Sequence, residues 1–314
     1  MIKVNQVSKH FEDYEALKEI SCTIPPGCIY GMVGSNGAGK STFLRLLSGV
    51  YQADGGEILF DGEPVWENPG VKQYITLVPD ELYFMGGASL ERMAALYATF
   101  YPNFSRERYE YLTETIGLNP KKSTNTFSKG MKRQAAILLA LSAHPKYLFL
   151  DETFDGLDPV MRHLVKSLIC EDVLERQSTA IITSHSLREL EDTCDQLALL
   201  HKGGLVLESD IQNLRTTQFK VQVAFHEIYT EKKFAELPVL HYSKRGSVAS
   251  LIVRGDRDEI AAKIAAMNPV LMDILPLSLE EIFTYEMEAL GYVFDPSGYG
   301  FAEGEGRKSE EEKF

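Results

Sequence analysis

The chain has 314 residues, 44% of them hydrophobic and 25% charged, with a formal net charge of −13. That length holds about two domains with cores of their own, and the acidic balance argues against a general nucleic-acid binder, which needs a basic face. No apolar run reaches the roughly 18 residues that cross a bilayer, the first residues form no signal-peptide core, and four cysteines without CxxC spacing imply reduced cytosolic thiols, not a zinc site or a disulfide framework.

The first thirty residues alternate in strand fashion, with Ile2, Val4 and Val7, then Ile20, Cys22 and Ile24, around a loop from His10 to Glu15. Pro25-Pro26-Gly27 breaks this before the apolar strand Cys28 to Val33. The next nine residues, Gly34-Ser35-Asn36-Gly37-Ala38-Gly39-Lys40-Ser41-Thr42, fit GxxxxGK[ST] and lead into a helical pattern, Phe43-Leu44-Arg45-Leu46-Leu47. A strand, a glycine loop and a helix N-terminus together turn backbone N–H groups toward one anion. Lys40 can then reach the β- and γ-phosphates of ATP, and the Ser41 hydroxyl can ligate Mg²⁺.

Gly56 to Phe60 reads as a strand closed by the turn Asp61-Gly62, and Tyr74 to Val78 as a short buried strand. Ser89 to Gly117 is helical with a break at Pro102, and Met131 to Ala143 forms a longer helix. The strands Tyr147 to Leu150, Ala180 to Ser184 and Leu197 to Leu200 alternate with helices, which predicts an α/β fold with a parallel sheet. The first of these ends in Asp151-Glu152, the form of a Walker B element. There Asp151 would hold Mg²⁺ at the strand's C-terminal end, and Glu152 would polarise the attacking water as general base. Alone, the same pair is a polar strand end.

Past about residue 215 the pattern changes. Phe219 to Phe225, Val248 to Val253 and Val270 to Leu275 look like strands, and Arg257 to Met267 like a helix. Ser278-Leu279-Glu280-Glu281 is a capping box opening a helix with Leu279, Ile282, Phe283, Met287 and Leu290 on its apolar face. The expected division is a domain at 1–215, a small α+β accessory domain at 216–292, and a disordered, Gly- and Glu-rich acidic tail at 293–314.

Phe127-Ser128-Lys129-Gly130-Met131 precedes the helix near Met131, with 20 residues between Gly130 and Asp151. With these motifs in place, residues 1–220 resemble the ATP-binding cassette (ABC) ATPases, whose LSGGQ signature precedes a helix and then Walker B. The resemblance implies a P-loop NTPase fold: a RecA-like parallel core, an antiparallel β subdomain and a helical subdomain, here followed by the small C-terminal domain. It also implies two cassettes paired head to tail, each ATP lying between one phosphate loop and the partner's signature helix. Ser128 and Gly130 match the signature, whereas Phe127, Lys129 and Met131 depart from it. Asp158, in Gly156-Leu157-Asp158-Pro159, matches the D-loop, and His185 matches the switch histidine that contacts the γ-phosphate. Phe11 stands where the family stacks an aromatic on adenine, with Tyr14 as the alternative. At Val78-Pro79-Asp80-Glu81 the family usually has a Mg²⁺-ligating Gln; Asp80 is either a hard-cation ligand in its place or a solvated loop acid. Lys40, Glu152 and His185 are thus the expected catalytic residues, and Ser41, Asp80 and Asp151 the expected metal ligands.

Residues 127–134 and the segment Leu277-Ser278-Leu279-Glu280-Glu281-Ile282-Phe283 resemble bacterial ABC export ATPases that serve antibiotics, amphipathic peptides or drugs, including the bacitracin type. That resemblance implies an assembly of two such chains, or one with a paralogous cassette, and integral-membrane subunits, seated at the cytoplasmic face of the membrane without nucleic acid. An importer cassette is the alternative. A soluble ABC ATPase is disfavoured by the single cassette and the lack of a heptad run, and a non-hydrolysing binder by the presence of Glu152.

Overall fold

The computed structural model describes residues 1–289, 292–295 and 300–303. The chain divides into two compact units, Met1–Ser209 and the part from Asp210 onward. In the first, β1 (Ile2–Phe11) and β2 (Tyr14–Ile24) pair antiparallel as far as Phe11 opposite Tyr14. The expected loop therefore shrinks to Glu12-Asp13, with Glu12 in the left-handed region. Ile2, Val4, Val7, Leu17, Ile20 and Ile24 bury one face, as the alternation predicted. β3 (Ile29–Val33) is buried throughout and feeds the glycine loop and α1 (Lys40–Leu47). β4 (Gly55–Phe60) and β5 (Glu63–Pro64) extend the hairpin into a sheet of order β2-β1-β4-β5. One turn, α2 (Pro69–Lys72), then leads to β6 (Ile75–Val78).

Three helices follow. Ser89 caps α3 (Leu90–Phe100) and Ser105 caps α4 (Arg106–Ile116), so Pro102 falls between them as expected. Ser128 caps α5 (Lys129–Ser142) by accepting from the Met131 N–H at 3.2 Å, which starts that helix two residues before Met131. The chain then alternates through β7 (Tyr147–Asp151), α6 (Pro159–Arg176), β8 (Thr179–Ser184), α7 (Leu187–Glu191), β9 (Gln196–His201) and β10 (Gly204–Asp210). The resulting sheet has the order β10-β9-β3-β8-β7-β6, with β9, β3, β8, β7 and β6 parallel. Val33 pairs with Ser184 and Asp151 with Thr183, so the C-terminal ends of β3, β8 and β7 lie side by side. Among the described residues no helix is long and apolar enough to cross a membrane.

The second unit begins ahead of the change in sequence pattern, because the Asp210 carboxylate accepts from the Asn213 N–H at 2.9 Å and caps α8 (Ile211–Thr217). β11 (Gln218–Ala224), β12 (Val239–Arg245), β13 (Val248–Arg254), α9 (Arg257–Ala265), β14 (Leu271–Pro276) and α10 (Leu279–Ala289) complete it. The sheet is antiparallel, in the order β12-β13-β11-β14. Phe219, Val221, Val223, Leu251 and Val253 bury one face against Phe234 and the α9 residues Ile260 and Ile264. The capping box closes as predicted: Ser278 Oγ accepts from the Glu281 N–H at 3.2 Å, and the Glu281 carboxylate accepts from the Ser278 N–H at 3.0 Å. Two short strands are described within or beside the segment expected to be a disordered tail. β15 (Tyr292–Asp295) pairs antiparallel with β16 (Gly300–Glu303), since Tyr-Val-Phe and Gly-Phe-Ala carry strand-forming aromatic and β-branched residues. Leu290 and the tail from residue 304 lie outside the described residues.

Candidate active site

The loop after β3 is shaped by what its glycines leave out. A Cβ on Gly34 would stand 2.4 Å from the Leu200 carbonyl oxygen, and one on Gly39, at φ +106°, would stand 2.6 Å from Leu17 Cδ2. Only glycine fits either place. Gly39 brings no side-chain cap to α1, so the first N–H groups of that helix remain for a ligand. Residues Asn36 to Thr42 of the loop line a cleft of about 250 Å³ together with Tyr14, Ala16, Asp80 and Glu152.

Three strand ends supply the reactive groups. Lys40 is 5% exposed; its Nζ donates to the Gly34 carbonyl at 2.6 Å and the Ser35 carbonyl at 3.3 Å, and lies 3.1 Å from Glu152 Oε1. The His185 Nδ1 sits 3.0 Å from the other carboxylate oxygen, Oε2, and the His185 backbone N–H donates to that oxygen at 3.3 Å. Glu152 holds a φ of +45°, a strained conformation for a side chain of that size. Its own N–H donates to Thr183 Oγ1 at 3.1 Å, and that hydroxyl donates to Asp151 Oδ1 at 2.6 Å. A buried threonine thus fixes both members of the acidic pair.

A triphosphate fits the donor set, with uncapped helix N–H groups, the glycine cradle and a buried ammonium. A Mg²⁺ ion fits only in its company: among the described residues no group of three or more His, Cys, Asp or Glu could hold a metal. Ser41 and Asp151 would therefore share the ion with phosphate oxygens.

The remaining expected residues divide. Asp80 reaches the cleft, yet its Oδ1 is 2.8 Å from Nη2 of Arg133, a residue of α5 that is 1% exposed. Arg133 also donates through Nη1 to the Pro79 carbonyl at 3.1 Å, so the end of β6 is tied to the signature helix. Phe11 packs edge-on against Tyr51 at 5.3 Å under Lys9, outside the residues that line the cleft. Tyr14 is the aromatic found there, its hydroxyl donating to the Gly37 carbonyl at 3.2 Å. Ser128, Gly130 and Asp158 do not line the cleft. Ser128 and Asp158 cap α5 and α6, and a Cβ on Gly130 would stand 3.1 Å from the Gly156 carbonyl oxygen, so the start of α5 and the loop before α6 pack on each other.

Sequence reasoning missed Thr183, Arg133 and Glu189. Glu189 accepts from the Ser184 hydroxyl at 2.6 Å and pairs with Arg162 of α6 at 3.2 Å, linking the helix after the D-loop to the segment that carries His185. A signal existed for two of them: Thr183 is a polar residue ending an apolar strand, and Arg133 precedes the buried Ile137 by one helical turn on the same face.

A family model described as ABC transporter matches residues 17–155. The ABC transporter ATP-binding protein YtrB of Bacillus subtilis (strain 168) is 31% identical over 284 residues, covering 90% of this chain and 97% of that one. Two proteins are each 30% identical over 68% of this chain: the bacitracin transport ATP-binding protein BcrA of Bacillus licheniformis, 71% covered, and the methionine import ATP-binding protein MetN of Protochlamydia amoebophila, 67% covered. Among solved structures, cbiO1 from Clostridium perfringens, part of the ABC transporter complex cbiONQ, is 28% identical with a TM-score of 0.58, over 68% of this chain and 89% of that one. With the phosphate loop, the parallel sheet and these relatives together, the chain belongs to the ATP-binding subunits of ABC transporters.

Proposed function

We propose that the chain hydrolyses ATP as one half of a head-to-tail pair of cassettes, and that this powers export by a separate integral-membrane subunit from the cytoplasmic face of the membrane. One observation carries the pairing. Lys40 and Glu152 line one cleft and His185 is bonded to Glu152, whereas Ser128, Gly130 and Asp158 sit at two helix starts that pack on each other outside that lining. A second copy, or a paralogous cassette, would bring those donors to the open side of the nucleotide.

In that arrangement the loop N–H groups from Gly34 to Thr42 bind phosphate, and Lys40 sets positive charge against the β- and γ-phosphates. Ser41 and Asp151 would hold Mg²⁺, which would supply charge neutralisation on the phosphates, and Asp80 lines the same cleft as Ser41. Glu152 accepts a proton from water as general base, oriented by His185 and by the Thr183 bond beneath it. The partner's Ser128 hydroxyl and α5 N-terminus donate to the γ-phosphate. Tyr14 lines the cleft and Phe11 does not, which makes Tyr14 the better placed aromatic for adenine.

Two readings of direction have support. The segment Leu277 to Phe283 and residues 127–134 favour export of an antibiotic, amphipathic peptide or drug, and the likeness to BcrA points the same way; the likeness to MetN supports import. The pairing is tested by diluting the purified chain. Specific ATPase activity should fall with concentration, and a constant value at every dilution would sink the shared site. Direction is tested by isolating the complex from native membranes: a membrane subunit without an extracellular binding protein supports export, and a binding protein in the complex favours import.

A further inference from the structure

The sheet of the second unit has two faces of opposite character, and only one is accounted for by its core. The pairing of its strands sets the other face out as rows. Ser243, Ser250, Gln222 and Asp273 lie across β12, β13, β11 and β14; the row on one side carries His241, Ile252, Lys220 and Leu275, and the row on the other carries Arg245, Val248, Ala224 and Leu271. A sheet face left to water needs no cover, and a face covered for stability is apolar. This one is neither. It floors a cavity of about 480 Å³ walled by Tyr285 of α10, with Ile252 only 1% exposed at its base. That volume lies within the roughly 300–1,000 Å³ of ordinary small-molecule sites.

The charges in the cavity are unbalanced. Lys220 and Arg245 line it, and neither has a carboxylate within ion-pair distance among the described residues. The acids near it are engaged elsewhere or lie outside the lining: Glu288 sits 3.4 Å from His241 Nδ1, Glu281, on the same helix as Tyr285, accepts from Ser278, and Asp273 lies beside Gln222 on the outer strand. Lys220 is half-buried without a counter-charge, which is unfavourable, and a bound anion would offset that cost; Arg245 is exposed and adds a second positive charge. Between the two cationic ends the lining is hydroxyl and amide, from Ser243, Ser250 and Gln222, groups that recognise hydroxyls by directed hydrogen bonds. His241 and Arg245 are four residues apart on one strand, about 13 Å. We infer that this cavity is a binding site for a small hydroxylated organic anion, a carboxylate or phosphate ester, held at its charged end by Lys220 or Arg245 and along its body by the serine and glutamine row. The site stands apart from the ATPase reading, and either can fail without the other.

Calorimetric titration of the full chain tests it, with inorganic phosphate, citrate and glucose 6-phosphate as probes and glucose as the neutral control. A Lys40→Ala background keeps the phosphate loop from reporting. Saturable binding of citrate or glucose 6-phosphate in that background, with none for glucose, is the expected result. Adding Lys220→Met and Arg245→Gln should weaken it by roughly tenfold or more, the loss of charge-assisted bonds, while the melting temperature without probe stays unchanged. Should the double substitution fail to fold, Arg245→Gln alone, at an exposed position, must still weaken binding several-fold. The assignment is overturned if no anion binds saturably, if inorganic phosphate alone binds and the cavity substitutions leave it unaffected, or if binding vanishes with Lys40→Ala.

Discussion

The two units place their polar groups in opposite ways, and strand direction is the reason. In the first, β3, β7 and β8 of the parallel sheet are buried throughout, so neither face of these strands is open to solvent. Lys40, Asp151, Glu152 and His185 gather where those strands end, because the ends are all that such a sheet offers for chemistry. In the second, the strands are antiparallel, one face closes the core, and the polar residues spread across the other. A parallel sheet concentrates reactive groups at a point, and an antiparallel one distributes them over an area. Single substitutions should accordingly be severe for turnover in the first unit and mild for it in the second.

The sharpest break of that contrast would come at Glu152. Glu152→Gln keeps the shape and loses the base, so hydrolysis should fall by roughly 100- to 10,000-fold, while ATP binding persists and size-exclusion chromatography shows an ATP-dependent dimer. A monomer under saturating ATP would count against the paired site. Lys40→Ala should lower turnover by roughly 100- to 1,000-fold through lost charge compensation; near-normal turnover would remove Lys40 from the machinery. In the second unit, Phe234→Ala should cost that unit about 3–5 kcal/mol, read by denaturant melting, with ATP affinity unchanged. An equal loss of nucleotide binding would erase the contrast between the two units.

Asp80→Ala sits at the border between structure and chemistry. It leaves the buried Arg133 guanidinium without its carboxylate, which should cost about 1.5–3 kcal/mol. If Asp80 also reaches the metal, the Mg²⁺ concentration for half-maximal activity rises; an unchanged Mg²⁺ titration leaves it only the tie to α5. The smallest effect concerns Asp61. Burial pushes its carboxyl up, but hydrogen bonds from Lys146, the terminal ammonium and the Tyr147 hydroxyl outweigh this and hold it well below its ordinary value of 3.8. Its contribution is therefore fully present above about that pH and fades as pH falls further. Asp61 is half exposed, so Asp61→Asn should cost under about 1 kcal/mol at neutral pH, and the gap to wild type in thermal melts should close only in strong acid.

Much of the first unit was legible because its chemistry is local in sequence. The glycine loop, Asp151-Glu152 and the Ser128 cap are contiguous motifs whose spacing alone brings the right groups near one ligand. What escaped notice depends on partners far along the chain. Arg133 meets Asp80 across 53 positions, and Thr183 meets Asp151 across 32. Phe11 and Tyr14 could not be ranked from sequence, because the short turn that separates them decides which one faces the cleft. β12 went unread for another reason. It is an edge strand entered from Pro238, and its polar outer residues, His241, Ser243 and Arg245, weaken the alternating signal. The ribbon of β15 and β16 was hidden by an acidic composition that the final residues dominate.

The contact between Lys40 and Glu152 has one further consequence. Lys40 Nζ lies 3.1 Å from Glu152 Oε1, so the group that meets the phosphates and the group that meets water occupy each other. A polyphosphate that draws Lys40 to itself would leave that carboxylate oxygen open to a water molecule. Activation would then be timed by the arrival of the very molecule to be cleaved, an interlock that needs no moving domain and keeps an idle enzyme quiet.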